Sequence, residues 1–102
     1  MDKRKIPESV IKYSDYLKNL YPNLKQVYVF GSCAKENMKP DSDIDMAFIF
    51  QDISDTFDIQ IRLMKLRRQF DTRIEPHVFD EEDFGGFHPL ACEILKTGYA
   101  VF

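Results

Sequence analysis

Two short patterns in the chain combine residue types that handle phosphate. Gly31-Ser32 closes an apolar segment, and after ten intervening residues Asp43 and Asp45 flank Ile44. Glycine lets the backbone turn and lets a ligand approach the main chain closely. The amides at a following helix start, together with the Ser32 hydroxyl, can donate to phosphate oxygens. Two carboxylates one residue apart on a strand project from the same face, with Cα atoms roughly 6.5–7 Å apart. That separation suits a pair of divalent ions about 3.5–4 Å apart, the arrangement used for in-line displacement at phosphorus. Hard oxygen donors without a Cys or His cluster favour Mg²⁺ over Zn²⁺. The spacing therefore predicts phosphoryl or nucleotidyl transfer.

The elements that must hold these residues can be read from periodicity. Val10, Tyr13, Leu17 and Leu20 recur at helical spacing after Pro7-Glu8-Ser9, and Tyr21-Pro22-Asn23 ends that helix. Residues 26–30 (QVYVF) form a short buried strand, punctuated by Gly31-Ser32; residues 33–37 have room for a helical turn or two. Residues 39–42 are a loop, and Ile44–Phe50 is the second strand. Residues 57–70 lack Gly and Pro and carry Ile59, Leu63, Leu66 and Phe70 on one helical face. Residues 73–79 form a third strand, which Pro76 confines to a sheet edge or a bulge. Leu90, Ala91, Ile94 and Leu95 mark a last helix with Gly98 at C′, followed by a short strand or apolar tail.

This order constrains the topology. Gly31 ends the first strand and Asp43 begins the second, so these must be antiparallel neighbours if phosphate and metals are to meet. The helix at 57–70 suits a right-handed parallel crossover to the third strand. An acid early in that strand then returns to the same end of the sheet, which places Glu75 beside Asp43 and Asp45. Asp71 and Asp80 are the alternative third acids. His77 shares the face of Glu75, with phosphate or acceptor contact and simple exposure both open to it. His88, before Pro89, is a turn residue. Lys65, Arg67 and Arg68 form a solvated helix face, and the acidic run at 80–83 suits a helix start.

The 102 residues, 44% hydrophobic with only four Gly and five Pro, predict one domain spanning 1–102 with an α+β fold and exclude a disordered or repetitive chain. A net charge of −3 provides no basic field for nucleic acid. No apolar run approaches the ~20 residues of a membrane span, and residues 1–10 lack a signal-peptide core, so the expected location is cytoplasmic. Cys33 and Cys92 are then expected as reduced thiols rather than a disulfide.

GSCAKENMKPDSDIDMAFIF resembles the Gly-Ser plus Asp-x-Asp signature of the polymerase-β-like nucleotidyltransferase superfamily, and in particular its minimal stand-alone (MNT) members. The resemblance runs through IRLMKLRRQFDTRIEPHVF and EILKTGYAVF, so it covers nearly the whole chain. It implies a small mixed sheet of three to four strands packed with helices. It also implies that Gly31 and Ser32 bind an NTP triphosphate, ATP in the first instance, and that Asp43, Asp45 and Glu75 hold two Mg²⁺ ions and support catalysis. The family's pairing with HEPN-domain toxins implies a protein partner, with AMP transferred from ATP to a hydroxyl of that toxin. The alternative is an antitoxin or nucleotide-binding module that neutralises its partner by occlusion alone. Two positions depart from the family pattern: Glu36 stands where Gly is common, and the third acid is Glu75 rather than Asp. The acceptor, base preference and self-association are not specified.

Overall fold

A computed structural model describes residues 6–31, 43–84 and 88–102. The expected helical turn at 33–37 and loop at 39–42, with Ser32, Cys33 and Glu36, lie outside the described residues. The element order is α1 (Glu8–Leu20), β1 (Leu24–Phe30), β2 (Ile44–Phe50), α2 (Thr56–Leu66), β3 (Ile74–Asp80), α3 (Glu81–Phe84), α4 (Pro89–Thr97) and β4 (Tyr99–Ala100). A 3-10 turn, Arg67–Gln69, tightens the end of α2. The helix expected over 57–70 is thus an α-helix that changes pitch for its last turn.

The strands form one mixed sheet in the order β3-β2-β1-β4. β1 and β2 are antiparallel, and β2 and β3 are parallel and joined through α2, as the site geometry required. β3 is an edge strand, where Pro76 costs no ladder hydrogen bond. The Gln60 side chain occupies part of that edge: its amide donates to the Pro76 carbonyl and its carbonyl oxygen accepts from the Val78 N–H at 3.0 Å. β4 pairs with the other side of β1.

Both faces of the central strand are covered, which is why β2 reads as a nearly continuous apolar run. Ile44, Met46, Phe48 and Phe50 pack with Val10, Tyr13, Leu17 and Leu63 from α1 and α2. Ala47 and Ile49 pack on the opposite face with Phe30, Phe79, Phe84 and Ile94, which brings in α3 and α4. Tyr13 is fully buried, meets Phe48 edge to face and donates its hydroxyl to the Leu63 carbonyl at 2.6 Å. Burial pushes that hydroxyl's pKa well above the ordinary tyrosine value, so it stays a donor.

Two expectations change. Gly98 adopts φ −83° rather than a left-handed conformation. Its value lies in close approach: a Cβ there would stand 2.6 Å from the Ile94 carbonyl oxygen and 3.1 Å from that of Val29. Arg67 is not a solvated residue either. Its guanidinium donates to the carbonyls of Met64, Thr72 and Ile74, fastening the end of α2 to the start of β3.

Candidate active site

The alternation of side chains along two parallel neighbours builds the site. Asp45 and Glu75 are register partners in the β2–β3 ladder, and Ala47 and His77 are the next pair on that face. These residues share the face of Ala47, Ile49 and Phe79, which α3 and α4 cover farther along the strands. At the Asp45 end the side chains are only half-buried, with 30% exposure for Asp45 and 35% for His77. One ligand atom each from Asp45, Glu75 and His77 lies within 4.8 Å of the others, and His77 Nε2 is 3.4 Å from Asp45 Oδ1. The Phe30 ring packs against the imidazole with centroids 5.3 Å apart.

Gly31 sits directly behind this cluster. Its φ of +73° lies in the left-handed region, and a Cβ at this position would stand 2.5 Å from Asp45 Oδ2. Glycine is thus required twice, for the turn that ends β1 and for the space the Asp45 carboxylate occupies. Asp43 immediately precedes β2 and is exposed; it is not in the group of close ligand atoms found among the described residues. Ser32 is outside the described residues.

The alternative third acids are committed elsewhere. Asp71 accepts from the Arg73 guanidinium at 2.8 and 3.0 Å, from the Arg73 N–H, and from the Ser9 hydroxyl. Above all the Arg73 side chain holds its carboxyl well below the usual carboxylate range. Asp80 is at the far end of β3, opposite Phe50, and accepts from the Glu82 N–H at the start of α3. His88 is the N-cap of α4, its ring accepting from the Ala91 N–H. Cys92 is free and exposed.

A cleft of about 400 Å³ runs along the outer side of β3, with Gln60, Met64, Glu75, His77, His88 and Leu90 among its walls. Two members of the cluster therefore also face a space that a reacting group can enter. Sequence reasoning placed Glu75 correctly beside Asp45 and put His77 on its face, but did not put His77 within reach of Asp45. The signal was available in the parity of 75 and 77 and in the parallel β2–β3 register.

Residues 12–101 match the polymerase beta nucleotidyltransferase family. The chain belongs to that family. Among solved structures, this nucleotidyltransferase domain is similar to a provisionally assigned nucleotidyltransferase from Sulfolobus solfataricus, at 24% identity and a TM-score of 0.66, covering 91% of this chain and 76% of that one. It is also similar to a toxin–antitoxin structure with AMP-PNP, at 22% identity and a TM-score of 0.61, covering 100% of this chain and 73% of that one. A third similar structure is a mutant of the toxin–antitoxin MntA-HpeT in which two aspartates, two positions apart, are changed to glutamate. It matches at 20% identity and a TM-score of 0.62, over 100% of this chain and 73% of that one. No curated protein matches the chain significantly by sequence. The fold of this nucleotidyltransferase is thus that of the family, with its acidic cluster at the β1-to-β2 end of the sheet.

Proposed function

We propose that residues 1–102 act as one catalytic domain that moves a nucleoside monophosphate, AMP from ATP, onto a hydroxyl of a partner protein. The observation that carries this reading is the pairing of Asp45 with Glu75 across β2 and β3, directly in front of Gly31. The donor set fits divalent ions: two carboxylates converge on a half-open face, with a third, Asp43, two residues upstream. Mg²⁺ held by Asp43, Asp45 and Glu75 would offset triphosphate charge and lower the pKa of the acceptor hydroxyl.

The chain's own residues have distinct tasks in this account. Gly31 brings the main chain close to the phosphates, and Ser32 supplies a hydroxyl to the same group. Asp45 stands against Gly31 at the strand end. Glu75 faces both the cluster and the cleft, where it can accept the acceptor's proton. The acceptor oxygen then forms a bond to the α-phosphorus as the bond to the bridging oxygen breaks, and pyrophosphate leaves with its electron pair.

A protein acceptor of the HEPN-toxin kind is supported by the fold shared with toxin–antitoxin structures. The use of ATP is supported by the AMP-PNP in one of those structures. The test mixes the chain, Mg²⁺, each NTP in turn and a HEPN protein encoded beside it, with intact mass spectrometry as the readout. The expected result is a gain of one AMP on the partner, lost in Asp45→Asn. Tight binding to the partner with no mass gain for any NTP would replace catalysis by occlusion.

A further inference from the structure

The fold brings a nitrogen donor to the carboxylates. Ligand atoms about 2.1 Å from a common ion in octahedral geometry lie about 3.0 Å apart when adjacent and about 4.2 Å apart when opposite. The Asp45, Glu75 and His77 ligand atoms all lie within 4.8 Å of one another, a limit a little above the opposite-ligand separation. The 3.4 Å from His77 Nε2 to Asp45 Oδ1 is long for a hydrogen bond and close to the separation of adjacent ligands. Phe30 packs against the imidazole ring, and the fully buried Ala47 stands opposite His77 in the ladder.

We propose that His77 is a nitrogen ligand of the divalent ion held by Asp45 and Glu75, which makes this position a site of two carboxylates and one imidazole. The inference rests on reading the carboxylates as a metal site, and it alters the metal preference expected of them. Oxygen donors alone suit Mg²⁺, whereas an imidazole favours Mn²⁺ and later first-row ions over Mg²⁺. The sequence-based choice of Mg²⁺ assumed that no histidine stands among the ligands. The fold supplies one.

The test uses the full chain and Mn²⁺ alone, with pulsed electron paramagnetic resonance to detect nitrogen coupled to the ion. The wild type is expected to show ¹⁴N coupling, and labelling with [¹⁵N]histidine is expected to replace it with a ¹⁵N pattern, without any substitution. His77→Gln, which leaves His88 as the remaining histidine, is expected to lose the coupling. It should also bind Mn²⁺ about tenfold more weakly while its Mg²⁺ affinity changes by less than about threefold. Bound Mn²⁺ without nitrogen coupling, or coupling that survives His77→Gln, would overturn the ligand role and leave the carboxylate site standing. No Mn²⁺ binding, or binding unchanged in Asp45→Asn, would overturn both.

Discussion

The two faces of the sheet are built to different ends. On the face toward α1 and α2, every second residue of β2 from Ile44 to Phe50 is fully buried and apolar. On the other face the same alternation begins with Asp45 and becomes apolar only at Ala47 and Ile49, where α3 and α4 arrive. One strand therefore supplies an anchor and a working surface from the same seven residues. A carboxylate can be held in place at low cost because its neighbours on the strand, Ile44 and Met46, are locked into the core behind it. Substitutions on the closed face should remove stability first and function as a consequence. Substitutions at the open end should remove function and leave stability.

The largest effect is expected from Phe48→Ala. It empties the centre of the closed face and the edge-to-face contact with Tyr13, at a cost of about 3–5 kcal/mol. That is a large share of the stability of a small domain. Urea unfolding should show a midpoint shifted far down, or no folded baseline. A loss below about 1 kcal/mol would mean that the closed face is not the anchor.

Asp71 tests the rim where α1 meets the start of β3. Aspartate in an unfolded chain titrates near 3.9, and the Arg73 hydrogen bonds hold the folded group below that. Its contribution is therefore fully present above about pH 4 and drains away as pH falls from there through the folded value. Asp71→Asn should cost about 2 kcal/mol at neutral pH and flatten the acid limb of the stability curve. An acid limb as steep as that of the wild type would assign the effect to other carboxylates.

Gly31→Ala sharpens the comparison at the boundary between anchor and site. The left-handed backbone costs a non-glycine residue about 1–2 kcal/mol, and the new methyl collides with the Asp45 carboxylate. The melting temperature should fall by several degrees while metal and nucleotide affinity fall further than stability explains. Ser14 gives the smallest effect. Its hydroxyl is fully buried on the helical side without a hydrogen-bond partner among the described residues, so Ser14→Ala should be neutral or stabilising by up to about 1 kcal/mol in thermal unfolding.

What could be read from the sequence divides along the same lines. Strand β2 has the expected bounds because a doubly covered strand is apolar without interruption. The partnership of Asp45 and Glu75 was within reach because a parallel crossover returns the chain to the end it left. Pro76 restricted β3 to an edge or a bulge, and the sheet order places it at an edge. The side-chain links that fasten elements together were not legible. Gln60 on the backbone of β3 and Arg67 on the Ile74 carbonyl join residues with no shared period. Gly98 does end α4, but its close approach to the Ile94 and Val29 carbonyls is not marked by any sequence pattern. The N-cap of α2 is Asp55, which accepts from the Asp58 N–H, one turn ahead of the apolar face by which the helix is recognisable.

The central claim is that the open end of the sheet is a metal-dependent nucleotide site separable from the core. The most direct measurement is calorimetric titration of ATP into the wild type and Asp45→Asn, each with Mg²⁺, with Mn²⁺ and with EDTA, alongside their melting temperatures. The account predicts saturable ATP binding that requires the metal and is lost in Asp45→Asn, while the variant melts within a few degrees of the wild type. ATP binding of equal strength in the variant, or with EDTA, would contradict it.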